Sequence, residues 1–465
     1  MLFLMSCLLT FQLPGQALPT RTPTVTLSAG QMTQTAIVSN PTAVPVIVTL
    51  EPTTTPYPGQ SVPADVLATM TKIQQQVAAI RGLGPLAPLK QETLSRDQLG
   101  KIVSGDFFAD YTKEDAANDA RELVLMGAIH PGFDLYQFYL DLYSEQIAGF
   151  YDPVSKYMYV VQGESFGIYE QSTYAHEFTH SLQDQHYDLL NGLKDNDFYC
   201  KDHTEYCAAI DALTEGDATL TQQNWLMDDT TAQQKVEYLQ QSQSIQSPIF
   251  DSAPPFFQQD MIFPYEQGLN FVTALYDQDG YKSIDEAFLD PPVSTEQILH
   301  PEKYPSDKPV DVYLPDFTSV LGNGWQETDR NVMGEWSTYE ILADGIDSTF
   351  RLPDDTAKTA SAGWAGDSYL VYWNPTSQQS VFVMRSRWET PQDTDEFWQA
   401  MSQYGQDRWG TPISSQSDRI DWQNTANGFV TLRRSNQDVI WLITPDAATA
   451  DKIMGTIQSS SVQPF

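Results

Sequence analysis

The chain has 465 residues, enough for two or three domains with sizeable cores, and its apolar fraction of 41% is ordinary for a globular protein. Its 25 Lys and Arg stand against 61 Asp and Glu, a formal net charge of -36. A surface so acidic repels phosphate, which disfavours nucleic acid or an anionic membrane as a partner.

Residues 1–11 form an apolar run about half as long as the ~20 residues a membrane-spanning helix needs, so they read as the core of a signal peptide. Two export routes are open. Leu4-Met5-Ser6-Cys7 resembles a bacterial lipobox that would place a lipid anchor on Cys7, whereas Gly15-Gln16-Ala17 offers small residues for ordinary cleavage. No Lys or Arg precedes the apolar run, a departure from both patterns. Either way residues 1–17 are expected to be a leader and the chain to be exported, to the cell surface or the medium. In an exported chain Cys200 and Cys207 are expected to form a disulfide, with a second metal site built from them and His203 as the rival reading. Residues 18–63 are Pro/Thr-rich and almost uncharged, which reads as an extended tether unable to bury a core.

Folded structure is expected from Ala64, where Val66, Leu67, Met70, Ile73, Val77 and Ile80 recur at helical spacing up to the breaker Arg81-Gly82-Leu83-Gly84-Pro85. Further helices are expected at about 96–103, 113–126 and 136–145, with His130 in the break between the last two. A strand at 157–161 follows a turn centred on Lys156, and it reads either as a receiver for an extended peptide or as part of a core hairpin. Residues 174–190 form the next helix. Another at 208–227 carries the step Gly216-Asp217, whose glycine costs about 1 kcal/mol against alanine, so close packing or function is expected there, and close approach to the preceding helix would account for it. Residues 228–255 read as helix with a long loop or as a flap, and Phe263-Pro264-Tyr265 as the opening of a helix through Leu275. From residue 306 the pattern becomes α+β, with helices at 334–343, 394–404 and 447–457 and strands at 368–373, 381–388, 428–432 and 439–444. Trp364, Trp373, Trp388 and Trp398 read as core in preference to a binding groove.

The chemistry centres on His176-Glu177-Phe178-Thr179-His180. Residues four apart share one face of a helix, so the two imidazoles can meet at a single zinc ion with Glu177 beside it. A catalytic zinc needs one more protein ligand and keeps a position for water. His186 has the spacing of a third histidine, but Gln183 stands where that arrangement requires a glycine turn. A helix that continues puts His186 roughly 600° round from His180, on another face. Glu215, on the following helix, is therefore the expected third ligand, completing His176, His180 and Glu215.

The run His176-Glu177-x-x-His180-Ser181-Leu182-Gln183-Asp184-Gln185 with Leu213-Thr214-Glu215-Gly216-Asp217-Ala218 resembles a largely uncharacterised family of predicted bacterial zinc metallopeptidases, gluzincin-like in kind. The likeness extends to Arg81-Gly82-Leu83, Gly149-Phe150-Tyr151-Asp152-Pro153, Phe263-Pro264-Tyr265, the segment Ser294-Thr295-Glu296-Gln297-Ile298-Leu299-His300-Pro301, and Gly363-Trp364-Ala365-Gly366-Asp367. Ala365 departs from the family's usual glycine. The resemblance implies an α+β protein: a mainly helical gluzincin-like metallopeptidase domain with a small antiparallel sheet at 64–305, then an α+β C-terminal domain at 306–465. It also implies hydrolysis of peptide bonds in a polypeptide substrate with one zinc per chain, and names no particular substrate. Glu177 is the expected general base, and by analogy with thermolysin-like enzymes His300 and Tyr265 are the candidate oxyanion donors, each otherwise a structural residue. Asp217 and Asp184 are candidates to orient the zinc histidines. The rival reading is a cell-surface binding protein with a structural or inactive zinc site; against it, such a site gains nothing from a carboxylate at Glu177. Aminopeptidase activity is a further option.

Overall fold

The computed structural model describes residues 59–460 except 103–104, 106–107, 109–110, 147–148, 162–165 and 425–427. The expected leader, Cys7 and the tether as far as residue 58 lie outside the described residues. No helix among those described is long and apolar enough to cross a membrane.

The protein is α+β, as the sequence pattern implies, with a mainly helical first part and a sheet-based second part. The first part opens with the helix Ala64–Arg81, which buries Met70, Ile73 and Val77 against Tyr174, Phe178 and Leu182. Its sheet has four strands in the order Gln60–Ser61, Lys90–Leu94, Tyr157–Val161, Gly149–Asp152. The two outer pairings are antiparallel but the central one is parallel, so the sheet is mixed and not wholly antiparallel as expected. The parallel partner Lys90–Leu94 is polar in sequence, KQETL, and carries no strand pattern. This pairing also occupies both edges of Tyr157–Val161, which therefore has none to offer a peptide. The outer strand is Gly149–Asp152.

Three long helices build the centre: Ile168–Tyr187, Thr204–Asp228 and Pro255–Asp279. Residues 228–255, left open by the sequence, contain the helices Ala232–Ser242 and Pro248–Asp251. Pro264 does not open a helix. The helix begins at Pro255, where a proline at the first turn wastes no hydrogen bond, and runs through Pro264 at the cost of one interior N–H. The glycine expected to let two helices approach does so, against a different partner. A Cβ on Gly216 would overlap the backbone carbonyl of Gly268, and one on Gly268 would overlap the carbonyl of Ala212, so the close contact is with Pro255–Asp279 and not with Ile168–Tyr187. Cys200 and Cys207 are joined as expected, their sulfurs 2.07 Å apart, just ahead of and within the first turn of Thr204–Asp228.

The second part is a seven-stranded antiparallel sheet in the order Gln326–Asn331, Trp364–Asn374, Gln379–Trp388, Asp438–Thr444, Gly428–Ser435, Arg419–Asn424, Ser414–Ser415. Alternation along each strand feeds two cores. Tyr369, Val371, Phe382, Met384 and Trp441 face the helices Gly334–Ala343, Asp354–Ser361 and Pro391–Trp409, while Leu370, Tyr372, Val383 and Leu442 face Ala447–Ser460. Burial on both faces explains why Asp438–Thr444 is almost uninterruptedly apolar. Trp364, Trp388 and Trp398 are core, as read from sequence, and Trp373 is half-buried beneath Arg121.

The two parts share a polar joint. Glu205, in the first turn of Thr204–Asp228, accepts the backbone N–H of Thr295 at 2.6 Å and its hydroxyl at 2.9 Å, and Thr295 Oγ1 in turn accepts the N–H of Trp336 at 3.1 Å. Asp367 accepts backbone N–H groups from Met333 and Gly334 and the indole N–H of Trp364. Gly334 has φ 77° and leaves no room for a Cβ beside the Glu205 carboxylate. The segments around Thr295 and Trp364 that carry part of the family resemblance thus lie at this joint. Ala365 there uses its carbonyl to accept Val310 N–H at 2.7 Å.

Candidate metal centre

The helix Ile168–Tyr187 is buried on every side from Ser172 to Asp184, although that stretch contains His176, Glu177, Thr179, His180, Ser181, Gln183 and Asp184. Buried polar groups must find partners, so this face is either a site or a large loss of stability. His176 and His180, one turn apart, aim their Nε2 atoms at the same place, 3.0 Å from each other. Glu215 arrives from Thr204–Asp228 with Oε2 at 2.9 Å from His176 Nε2 and 3.5 Å from His180 Nε2. The expected triad of His176, His180 and Glu215 is therefore assembled, fully buried, from two crossing helices.

The hydrogen-bond network fixes what these atoms can be. The carbonyl oxygen of Thr214 only accepts, so the Gln183 amide group 2.9 Å away must present its NH2 there, and the same NH2 reaches Asp217 Oδ2 at 2.9 Å. Gln183 Oε1 then faces His180 Nδ1 at 2.9 Å, which must carry the proton. In neutral His180 the Nε2 lone pair consequently points at the Glu215 carboxylate. Acceptors facing one another in a buried space need a cation between them: an extra proton or a metal. Tetrahedral zinc with bonds of about 2.0 to 2.1 Å separates its donors by about 3.3 Å, and the three observed separations bracket that spacing. The residues fit zinc.

Without an ion the charges must be balanced by protons. Burial lowers the His180 pKa, but Glu215, Glu177 and Gln183 outweigh it and bring it up to about 9. For His176 burial prevails and the pKa falls. Burial would raise Glu215, yet the two histidines hold it below the usual carboxylate range. Glu177 is pushed by burial up to about 8. Its Oε2 accepts the N–H of Tyr151 at 3.0 Å, from the outer strand Gly149–Asp152, while Oε1 has no hydrogen-bond partner among the described residues. A cavity of about 20 Å³ lined by Glu177, Tyr174, Gly149 and Val160 lies alongside, room for a single water.

Outside the ligands a chain of buried contacts runs His180, Gln183, Asp217, Arg81. Arg81 is fully buried and pairs with Asp217 at 2.7 Å and with Asp285 at 2.7 Å, its guanidinium 4.9 Å above the Tyr281 ring. Asp217 thus reaches His180 only through Gln183. Asp184 does not: it takes the Tyr151 hydroxyl at 2.7 Å and the Lys156 ammonium at 2.7 Å. Tyr265 is brought to the site, its ring stacked 6.2 Å from that of His176. His300 is placed elsewhere, half-buried at the end of the helix Thr295–Leu299 with Nε2 2.9 Å from Glu335, whose carboxylate raises its pKa. His186 is half-buried outside the cluster and bonds the Gly84 carbonyl at 2.8 Å. Sequence reasoning missed Arg81, Gln183 as an orienting group, and Asp195. Asp195 carries no motif, but it is buried near Glu215 and His180, and burial followed by Glu215 pushes it up to about 7.

A second acidic group, Glu296, Asp307 and Glu389, already holds a cation, the Lys303 ammonium, which reaches Glu296 at 2.6 Å and Glu389 at 2.8 Å. A family model described as Domain of unknown function (DUF8575) matches residues 320–454, within the second part and away from His176, His180 and Glu215. No curated protein and no solved structure matches the chain.

Proposed function

We propose that this chain is an exported zinc-dependent metallopeptidase that hydrolyses peptide bonds of a polypeptide substrate, with His176, His180 and Glu215 as metal ligands. The observation that carries the reading is the buried convergence of those three donors beside a carboxylate, Glu177, with one oxygen anchored and the other unpartnered. Zinc, when bound, acidifies a water ligand and polarises the scissile carbonyl. Glu177 takes the proton of the attacking water at Oε1 and returns it to the departing amine nitrogen, while the Tyr151 N–H on Oε2 keeps the carboxylate aimed. Gln183 holds His180 in the tautomer with a free Nε2 lone pair. Tyr265, whose ring lies against that of His176, is the candidate donor to the developing oxyanion, and His300, tied to Glu335, is left a structural role. Export rests on the apolar run at residues 1–11 and agrees with the Cys200–Cys207 bond, which persists in an oxidising compartment.

The test is Glu177→Gln in purified protein with a mixed peptide library as substrate. Zinc content is expected to stay at the wild-type level while turnover drops by at least ~100-fold. A variant that keeps its activity, or a wild type that binds zinc and cleaves nothing, would remove Glu177 from the chemistry.

A further inference from the structure

The outer strand Gly149–Asp152 is four residues long and pairs with one neighbour, Tyr157–Val161, so its ladder fixes it on one side only. What fixes it on the zinc helix Ile168–Tyr187 is Tyr151. Its backbone N–H donates to Glu177 Oε2 at 3.0 Å, and its hydroxyl donates to Asp184 Oδ2 at 2.7 Å. Residues seven apart on a helix return to one face about 10.5 Å along the axis, so Glu177 and Asp184 present two carboxylates in line. The tyrosine runs from one to the other, its buried ring packed in one cluster with Phe178 and Leu182 of that helix and Met158 of the neighbouring strand.

Asp184 is the far anchor of this contact, and it is itself held. Its side chain is 1% exposed, a burial that an unpaired carboxylate does not tolerate. The Lys156 ammonium meets its two oxygens at 2.9 and 2.7 Å, and the Leu189 N–H approaches Oδ1 at 3.3 Å. Lys156 belongs to the turn between the two strands and has φ 60°, the left-handed region in which glycine or asparagine costs least. A lysine kept there is explained by its ammonium, which is 51% exposed and joins the surface to the buried carboxylate.

The hairpin is thus tied to the zinc helix by Tyr151 from its first strand and by Lys156 from its turn, and both ties end on Asp184. None of these three residues belongs to the ligand cluster of His176, His180 and Glu215. They meet the site at Glu177 alone, through the Tyr151 N–H.

We infer that Tyr151, Asp184 and Lys156 are positioning residues for the proposed base: by clamping the hairpin to the helix they hold the Tyr151 N–H where it aims the Glu177 carboxylate. The inference rests on the peptidase reading. It places control of turnover, without control of zinc binding, on a surface lysine outside the metal-binding motif.

Lys156→Gln is the principal variant, since the side chain is half exposed and the fold can lose it. Tyr151→Phe and Asp184→Asn cut the same chain of contacts, and Lys156→Arg restores a cation. Three quantities are read on the purified whole protein: zinc content, kcat and KM on one cleaved peptide, and hydrogen exchange at the Tyr151 amide, which needs no turnover. The three cutting variants are expected to keep the wild-type zinc content and a KM within about 3-fold, to lose kcat by at least ~10-fold, and to exchange the Tyr151 amide at least ~10-fold faster. Lys156→Arg is expected to return kcat and exchange to within about 3-fold of wild type. An unchanged kcat in Lys156→Gln, whatever the exchange rate, overturns the clamp and leaves the peptidase reading standing. Zinc content that falls together with kcat overturns it too, because the three residues would then serve the fold of the whole site. Faster exchange in the variants of a wild type that binds zinc and cleaves no peptide supports the clamp's hold on Glu177 and removes the peptidase reading.

Discussion

Replacing Arg81 with methionine isolates the part of the site farthest from the motif. The substitution preserves much of the side-chain volume but removes the cation from between Asp217, fully buried, and Asp285, about a third exposed. Asp285 can turn to water, whereas Asp217 is left as a buried charge whose remaining side-chain partner among the described residues is the Gln183 amide. Breaking a buried pair from one side costs about 3–5 kcal/mol. For a folded part of this size each kcal/mol moves the melting midpoint by about 2–4 °C, so a fall of about 6–20 °C is expected. Asp217 also positions Gln183, and Gln183 positions His180, so zinc affinity should weaken by about 10–100-fold, the usual cost of losing a group that orients a ligand. Thermal denaturation followed by circular dichroism reads the first number, and competition with a chromogenic chelator reads the second. The double variant Arg81→Met with Asp217→Asn removes the stranded charge and should melt above Arg81→Met alone. A single variant that melts within about 2 °C of wild type with unchanged zinc affinity would refute the coupling.

Gly216→Ala should destabilise by about 1–3 kcal/mol despite alanine's better helix propensity, because its Cβ must displace the Gly268 backbone; a melting midpoint at or above wild type would contradict that packing. Glu205, buried at the joint, has a folded-state pKa pushed by burial up to about 8, above its unfolded value. A raised carboxyl pKa means that the native state holds the proton more tightly. Its contribution is therefore fully present below about pH 4.3 and is lost as pH rises through about 8. Urea denaturation between pH 5 and 8.5 should show stability falling with pH, with a shallower slope in Glu205→Gln; identical slopes in the two proteins would refute the assignment.

Legibility in the sequence followed the range of the interaction. Helices with strong apolar spacing, such as Lys113–Met126 and Gly334–Ala343, were readable to the residue. Lys90–Leu94 and Gln326–Asn331 were not, because their sequences KQETL and QETDRN are polar and only the neighbouring strand makes them strands. Pro264 misled because a proline usually marks a first turn, and Pro255 occupies that place nine residues earlier in this helix. His176, Glu177 and His180 were visible as candidates because one helix carries all three, and Glu215 because the following helix supplies a carboxylate where His186 faces away. Arg81 and Asp195 could not be found that way. Their roles come from residues 136 positions away in one case and from burial near Glu215 in the other, neither of which leaves a local pattern. His300 looked like an oxyanion donor by its place downstream, but Glu335, brought in from the second part, claims its imidazole.

Metal stoichiometry after equal dialysis tests the central assignment most directly, measured by plasma emission on the wild type, Glu215→Ala and His186→Ala. Wild type and His186→Ala are expected to retain one zinc per chain, since His186 is bonded to the Gly84 carbonyl away from the cluster, while Glu215→Ala should lose most of it, having two histidines but no carboxylate to close the site. Zinc retained in Glu215→Ala, or lost in His186→Ala, would contradict the ligand set on which the account stands.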